Sequence, residues 1–203
     1  MHRVVGVAGP AGAGKTTLVR GLVRALGDAA PIYMDSYQRI TRQPVRRIVQ
    51  WLERGADFDE FSIPLLGEHL RRLKRGETVM DPVTMEEIPA RRHIVFETHF
   101  GRRHRDTGQH IDLLVWVATP LDVALARNLS DLIRTLRQPG AQPRGEDLAR
   151  LHNYVTTYLA DVRALLLAQE KTVGADADLV VDGSRDPAGM VEQVRSAILT
   201  RLA

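Results

Sequence analysis

Gly9-Pro10-Ala11-Gly12-Ala13-Gly14-Lys15-Thr16 carries the strongest chemical signature in this chain. The segment fits the pattern G-x-x-x-x-G-K-[ST] in the setting that pattern needs, after a Val-rich stretch and before a run of helical periodicity. Glycines let the backbone curl so that successive N–H groups point inward and cradle phosphate oxygens, and a helix N-terminus adds partial positive charge. In such a loop Lys15 neutralises the β- and γ-phosphates, the Thr16 hydroxyl ligates Mg²⁺ and the Thr17 hydroxyl reaches the α-phosphate. The pattern predicts nucleotide binding through Gly9, Pro10, Ala11, Gly12, Ala13, Gly14, Lys15, Thr16 and Thr17.

Further carboxylates and arginines fall where phosphate chemistry would use them. Asp35 ends the second short apolar stretch, and ligands of a parallel sheet bind outside the carboxyl ends of its strands. A carboxylate there takes the proton of an acceptor hydroxyl, holds metal or caps a helix. His93-Ile94-Val95-Phe96-Glu97 is an apolar strand ending in an acid, suited to Mg²⁺ or to an ion pair with one of the many arginines. Arg127, Arg134 and Arg137 lie on a helix that runs into a Pro/Gly-rich loop, with Arg127 and Arg134 on similar faces. A helix–loop–helix of this kind brings cations over a phosphoryl group in transfer and excludes water. No Asn-Lys-x-Asp or Thr-Lys-x-Asp segment occurs, which disfavours guanine recognition of the GTPase type.

The elements that must hold these groups alternate between extended and helical patterns. Buried strands are expected at Arg3–Ala8, Pro31–Met34, His93–Phe96, Leu113–Ala118 and Leu179–Val181. Helices are expected at Lys15–Leu26, Arg42–Arg54, Ile63–Arg75, Pro120–Arg137, Glu146–Glu170 and Pro187–Leu202. Glu77–Arg92, with Pro82 and Pro89, reads as a hairpin or irregular excursion, and Thr98–His110 as a basic loop, solvated or gripping an anion. Gln138–Gly145 is the most loop-like stretch. Trp51, Val115, Trp116, Leu166 and Leu167 read as core. The alternation predicts an α/β fold, a parallel sheet of about five strands flanked by helices, with a small hairpin excursion and a helical lid.

Composition narrows the class. The 203 residues, 44% hydrophobic, suffice for one domain with a sizeable core. No apolar run approaches the ~18 residues of a membrane span, and Met1–Ala8 lacks the apolar stretch of a signal peptide, so a cytoplasmic protein is expected. Cysteine is absent, which excludes disulfides, thiolate zinc sites and cysteine nucleophiles. Lys15, Lys74 and Lys171 are the only lysines among 28 basic residues, and arginine suits bidentate recognition of phosphate and carboxylate. The cluster Arg102, Arg103, His104, Arg105 and His110 lacks a stacking platform, so no nucleic-acid partner is expected.

Taken together, these segments resemble the uridine kinase and phosphoribulokinase family of P-loop kinases. Gly9–Thr17 is similar to that family's phosphate loop, Asp35-Ser36-Tyr37-Gln38 to its Asp-Ser-Phe-Tyr segment, and Phe96-Glu97 to its strand-end Phe-Glu-Gly. Leu70–Val79, Leu121–Arg127, Asn153-Tyr154 and Ala177–Val181 complete the resemblance. It implies a single P-loop kinase domain over residues 1–203, with an acceptor-binding insertion at about 36–92 and a lid at about 127–150. It implies an ATP-dependent kinase acting on a hydroxyl of a small metabolite such as a nucleoside or sugar. Mg²⁺ would be held by Thr16, Glu97 and Asp35, Asp35 would be the base, and Lys15 and Arg127 would stabilise charge. Tyr37, Asp57, Asp59, Glu86 and His99 are the candidate acceptor contacts.

The chain also departs from the family. Where nucleoside kinases carry a Tyr-Asp-Phe and a His that read the base, this chain has Thr84-Met85-Glu86-Glu87-Ile88-Pro89. The glycine after the strand-end acid is Thr98, followed by His99, and Asn128 stands beside Arg127 where the family pairs arginines. Uridine is therefore not expected as acceptor. A nucleotide-hydrolysing switch without a small-molecule acceptor is the alternative reading, and the sequence permits a homo-oligomer.

Overall fold

Five parallel strands form the centre of the molecule: β1 (Arg3–Ala8), β2 (Ala29–Tyr33), β5 (His93–Glu97), β6 (Leu113–Ala118) and β7 (Leu179–Asp182). They lie in the order β2-β5-β1-β6-β7, with β3 (Val79–Met80) and β4 (Glu87–Ile88) forming a separate antiparallel pair. This computed structural model describes residues 1–37, 51, 54–55, 57–136 and 145–202. The expected helix Arg42–Arg54 (apart from Trp51 and Arg54), Gln38, Arg137 and nearly all of the Pro/Gly-rich loop lie outside the described residues.

The alternation of side chains along each strand divides the core in two. Val4 and Ala8 of β1, Ile94 and Phe96 of β5, and Leu114 and Trp116 of β6 face one layer. There they meet Leu66, Leu70 and Leu73 of α2 (Pro64–Lys74). Val5 and Val7, Val95, and Val115 and Val117 face the other, against α1 (Lys15–Leu26) and α7 (Pro187–Arg201). With both faces covered, the strands read as near-continuous apolar runs, as buried parallel strands must. Leu18, Val19 and Leu22 of α1 have no exposure, and each such burial is worth about 1.5–3 kcal/mol. That packing fixes the helix whose N-terminus closes the Gly-rich loop.

The second half of the chain supplies α3 (Arg105–Gly108), α4 (Leu121–Leu136), α5 (Gly145–Thr157) and α6 (Arg163–Thr172). A single helix over 146–170 was expected; instead a π-helical turn, Tyr158–Val162, joins α5 to α6. Tyr158 is turned inward there and its hydroxyl donates to the Leu121 carbonyl at 3.3 Å. A one-residue bulge re-aims a side chain in this way.

The stretch 98–110 is also not the loose basic loop of the sequence reading. His104 is 1% exposed, its Nε2 donating to the Phe61 carbonyl at 2.9 Å and its Nδ1 meeting the Thr107 hydroxyl. Arg102 pairs with Asp178 and Arg105 with Asp59. Periodicity could not find Phe61, Asp59 or Asp178 as partners, because they lie 43 to 76 residues away in sequence. Trp51 is core as expected, edge-on to Phe58 and Phe61, with its indole N–H donating to the Asp57 carbonyl at 2.6 Å.

Candidate active site

The loop after β1 reaches its shape through glycine. Gly12 has φ +80°, and a Cβ there would stand 2.3 Å from the Ala124 carbonyl oxygen of α4. Gly14, at φ +97°, caps α1 in the left-handed conformation that glycine alone adopts cheaply. The Thr119 hydroxyl at the end of β6 donates to the Ala13 carbonyl at 3.1 Å and braces the loop from the neighbouring strand.

Lys15 follows, 5% exposed, with Nζ donating to the Pro10 carbonyl at 3.0 Å. Burial depresses its ammonium below the ordinary lysine value, partly opposed by the negative charges of Glu97 and Asp35. The Thr16 hydroxyl donates to Glu97, 2.9 Å from Oε2 and 3.2 Å from Oε1. Strand register explains the meeting. Glu97 lies level with Val7 on one side and Tyr33 on the other, so it stands between the phosphate loop and the end of β2. A hydroxyl and a carboxylate beside a polyphosphate cradle are hard oxygen donors, the set Mg²⁺ prefers.

Asp35 lies in the short 3₁₀ turn Met34–Ser36 that follows β2, and its Oδ1 is 2.9 Å from His99 Nε2. Arg127 of α4 donates from Nη1 to the Gly183 carbonyl at 2.9 Å. A cavity of about 590 Å³ gathers these groups. Ala11–Thr17, Asp35, Glu97 and His99 line it together with Arg127, Asn128, Asp131, Arg134, Gly183 and Arg185. The catalytic, metal and nucleotide candidates of the sequence reading thus converge, apart from Gly9 and Pro10, which do not line the cavity, and Arg137, which is outside the described residues.

The acceptor candidates do not converge. His99 alone of the five lines the cavity. Tyr37 is hydrogen-bonded to His69 Nδ1 at 2.8 Å, and burial, with the charge of Asp81, pushes its phenol upward. Asp57 caps the 3₁₀ turn Phe58–Glu60, accepting from Asp59 N–H at 3.0 Å, and Asp59 accepts from Arg105 N–H at 2.7 Å. Glu86 sits exposed on the hairpin. Asp57 is thus engaged within its own turn, and Asp59 by an N–H that lies 46 residues away in sequence.

Among the residues around the cavity that escaped the sequence reading are Thr119, Gln169, Gly183 and Arg185. Gly183 and Arg185 follow β7 at the same sheet edge as the phosphate loop, so the rule that applied to Asp35 applied to them too. Gln169 carried no signal. It donates to the His99 carbonyl at 2.7 Å across 70 residues of sequence.

Comparison with known proteins supplies a family and a fold. The family profile described as "Phosphoribulokinase / Uridine kinase family" matches residues 4–141. Comparison with curated proteins finds no significant match. Among solved structures, the chain is similar to a sugar kinase from Janibacter sp. HTCC2649, at 19% identity and TM-score 0.52, over 100% of this chain and 95% of that one. It is also similar to a shikimate kinase from Acinetobacter baumannii solved with shikimate, at 17% identity and TM-score 0.51, over 98% and 94%. At those identities the likeness is one of fold.

Proposed function

This chain belongs to the phosphoribulokinase/uridine kinase family and is a P-loop kinase; from that premise we propose that it transfers the γ-phosphoryl group of ATP to a hydroxyl of a small metabolite. One observation carries the reading. A phosphate loop with a buried lysine and a carboxylate ending a neighbouring strand face one cavity, as a donor and an acceptor hydroxyl require.

The loop amides and the α1 N-terminus bind the β- and γ-phosphates, and Lys15 neutralises their charge. Their negative charge in turn favours the protonated form of a lysine that burial has depressed. Thr16 and Glu97 would hold Mg²⁺, which would supply positive charge against that of the phosphates. Asp35 orients the acceptor hydroxyl and takes its proton as that oxygen bonds to the γ-phosphorus. The bond to the bridging oxygen breaks, and ADP leaves. Arg127 and Arg134, on the α4 wall, supply positive charge over the transferring group. The chain is read as one domain with its acceptor side at about 36–92 and its lid at about 127–150.

Measuring ADP formation with and without a panel of sugars, polyols and nucleosides tests the reading. Turnover that depends on one class of acceptor supports it. Steady hydrolysis indifferent to every compound overturns it and favours a regulatory ATPase.

A further inference from the structure

Asp35 stands on a short turn and its side chain is 59% exposed, a poor setting for a carboxylate that must hold one direction. Exposed carboxylates sample several rotamers, and each wrong one removes the base from the acceptor oxygen. The structure holds a device against this in the four residues after β5.

Thr98 is fully buried, and its hydroxyl accepts from the N–H groups of both Phe100 and Gly101 at 3.1 Å. The chain therefore makes a fixed turn directly after Glu97. Phe100, 4% exposed, anchors the far side of that turn by packing against Phe58, Phe61 and His104. Between these anchors lies His99, whose carbonyl is held by the Gln169 amide of α6 at 2.7 Å and whose Nε2 reaches Asp35 at 2.9 Å. A carboxylate oxygen accepts, so Nε2 carries the proton and donates. The imidazole thus rests on a platform tied at its hydroxyl turn, its ring anchor and its carbonyl.

We propose that His99 is a positioning residue that fixes the rotamer of Asp35, acting on phosphoryl transfer through that carboxylate and not through contact with the acceptor or with Mg²⁺. The inference rests on the role assigned to Asp35 above. It also explains the segment Glu97-Thr98-His99-Phe100: the threonine and phenylalanine hold the histidine against Asp35.

Two measurements test it. The first needs no acceptor: nitrogen-edited imidazole spectra of ATP-free protein at one fixed pH, with the His99 signal assigned by its loss in His99→Gln. Asp35→Asn is expected to shift that signal strongly and Lys15→Ala to leave it nearly in place; an unchanged His99 signal in Asp35→Asn overturns the contact. The second is a kinetic cycle with the acceptor class found by the panel. His99→Ala is expected to lower kcat about 10- to 100-fold with KM for ATP and acceptor nearly unchanged. His99→Gln, whose amide can donate from nearly the same place, is expected to recover most of it. Adding His99→Ala to Asp35→Asn is expected to cost nothing further, because groups acting as a unit are non-additive. A rise in acceptor KM at unchanged kcat, or an equal loss in the Asp35→Asn background, overturns the assignment. Failure of the acceptor reading shows in the panel alone and leaves the spectral result standing.

Discussion

On the reading proposed above, the cavity has a donor end and an acceptor end, and the two are built by different means. At the donor end, eight consecutive residues supply almost everything: amides, a lysine and a hydroxyl, locked by glycine conformations and by the burial of α1. At the acceptor end each group comes from a different segment. Asp35 follows β2, His99 follows β5, and Gln169 reaches in from α6. A phosphate is recognised by main-chain donors and one cation, which a short loop can carry on its own. A particular acceptor is recognised by side chains, which must be gathered by the fold and supported from behind. The donor end is therefore general and local, and the acceptor end is particular and tertiary.

The largest effect is expected at the donor end. Lys15→Ala should lower phosphoryl transfer by about 10³-fold or more while circular dichroism and thermal unfolding change little, since the charge it supplies acts on the reacting group. Gly12→Ala strikes the same loop through the backbone. Its Cβ meets the Ala124 carbonyl at 2.3 Å with φ at +80°, so it should lose about 2–4 kcal/mol of stability in urea titrations together with ATP binding. Should both variants bind ATP normally by calorimetry, the donor end is not where the loop places it.

Asp35→Asn comes next, with turnover expected to fall by about 10²–10⁴-fold and ATP affinity to stay within a few-fold, a split that separates acceptor from donor chemistry. Turnover close to wild type would remove Asp35 from the base role.

A smaller effect concerns acid. Burial raises the Asp178 carboxyl, but the hydrogen bonds from Arg102 and from Leu114 N–H, with the charges of Arg102 and Arg201, outweigh it and hold the group below its ordinary value of 3.8. A folded-state value that is depressed gives stability present above the unfolded value and lost as pH falls through the lowered one. Denaturant midpoints of wild type should thus decline below about pH 4, while Asp178→Asn should start lower at neutral pH and decline less steeply. Equal acid slopes in the two proteins would count against this coupling. The smallest effect is expected at Glu86, exposed on the hairpin, where Glu86→Ala should leave turnover within about twofold and stability within about 0.5 kcal/mol. A large rise in acceptor KM there would extend the acceptor end out to the hairpin.

The primary sequence determined the phosphate loop and the alternating α/β order. Both rest on short-range physics: glycine φ values, residues that must be contiguous to cradle phosphate, and periodicities of strand and helix that repeat within a few residues. It also placed Asp35 and Glu97 at strand ends, because the carboxyl edge of a parallel sheet is predictable from strand order. Only the tertiary structure decided that Asp57 serves its own turn, that Asp59 serves the distant Arg105, that His104 is core, and that Arg102 belongs to Asp178. It alone brought Gln169 to His99 and His99 to Asp35. The reason lies in how each is encoded. A polar side chain's partner is chosen by proximity after folding, and a polar residue in a loop is equally compatible with solvent, a backbone amide or a ligand until the packing of distant segments removes two of the three.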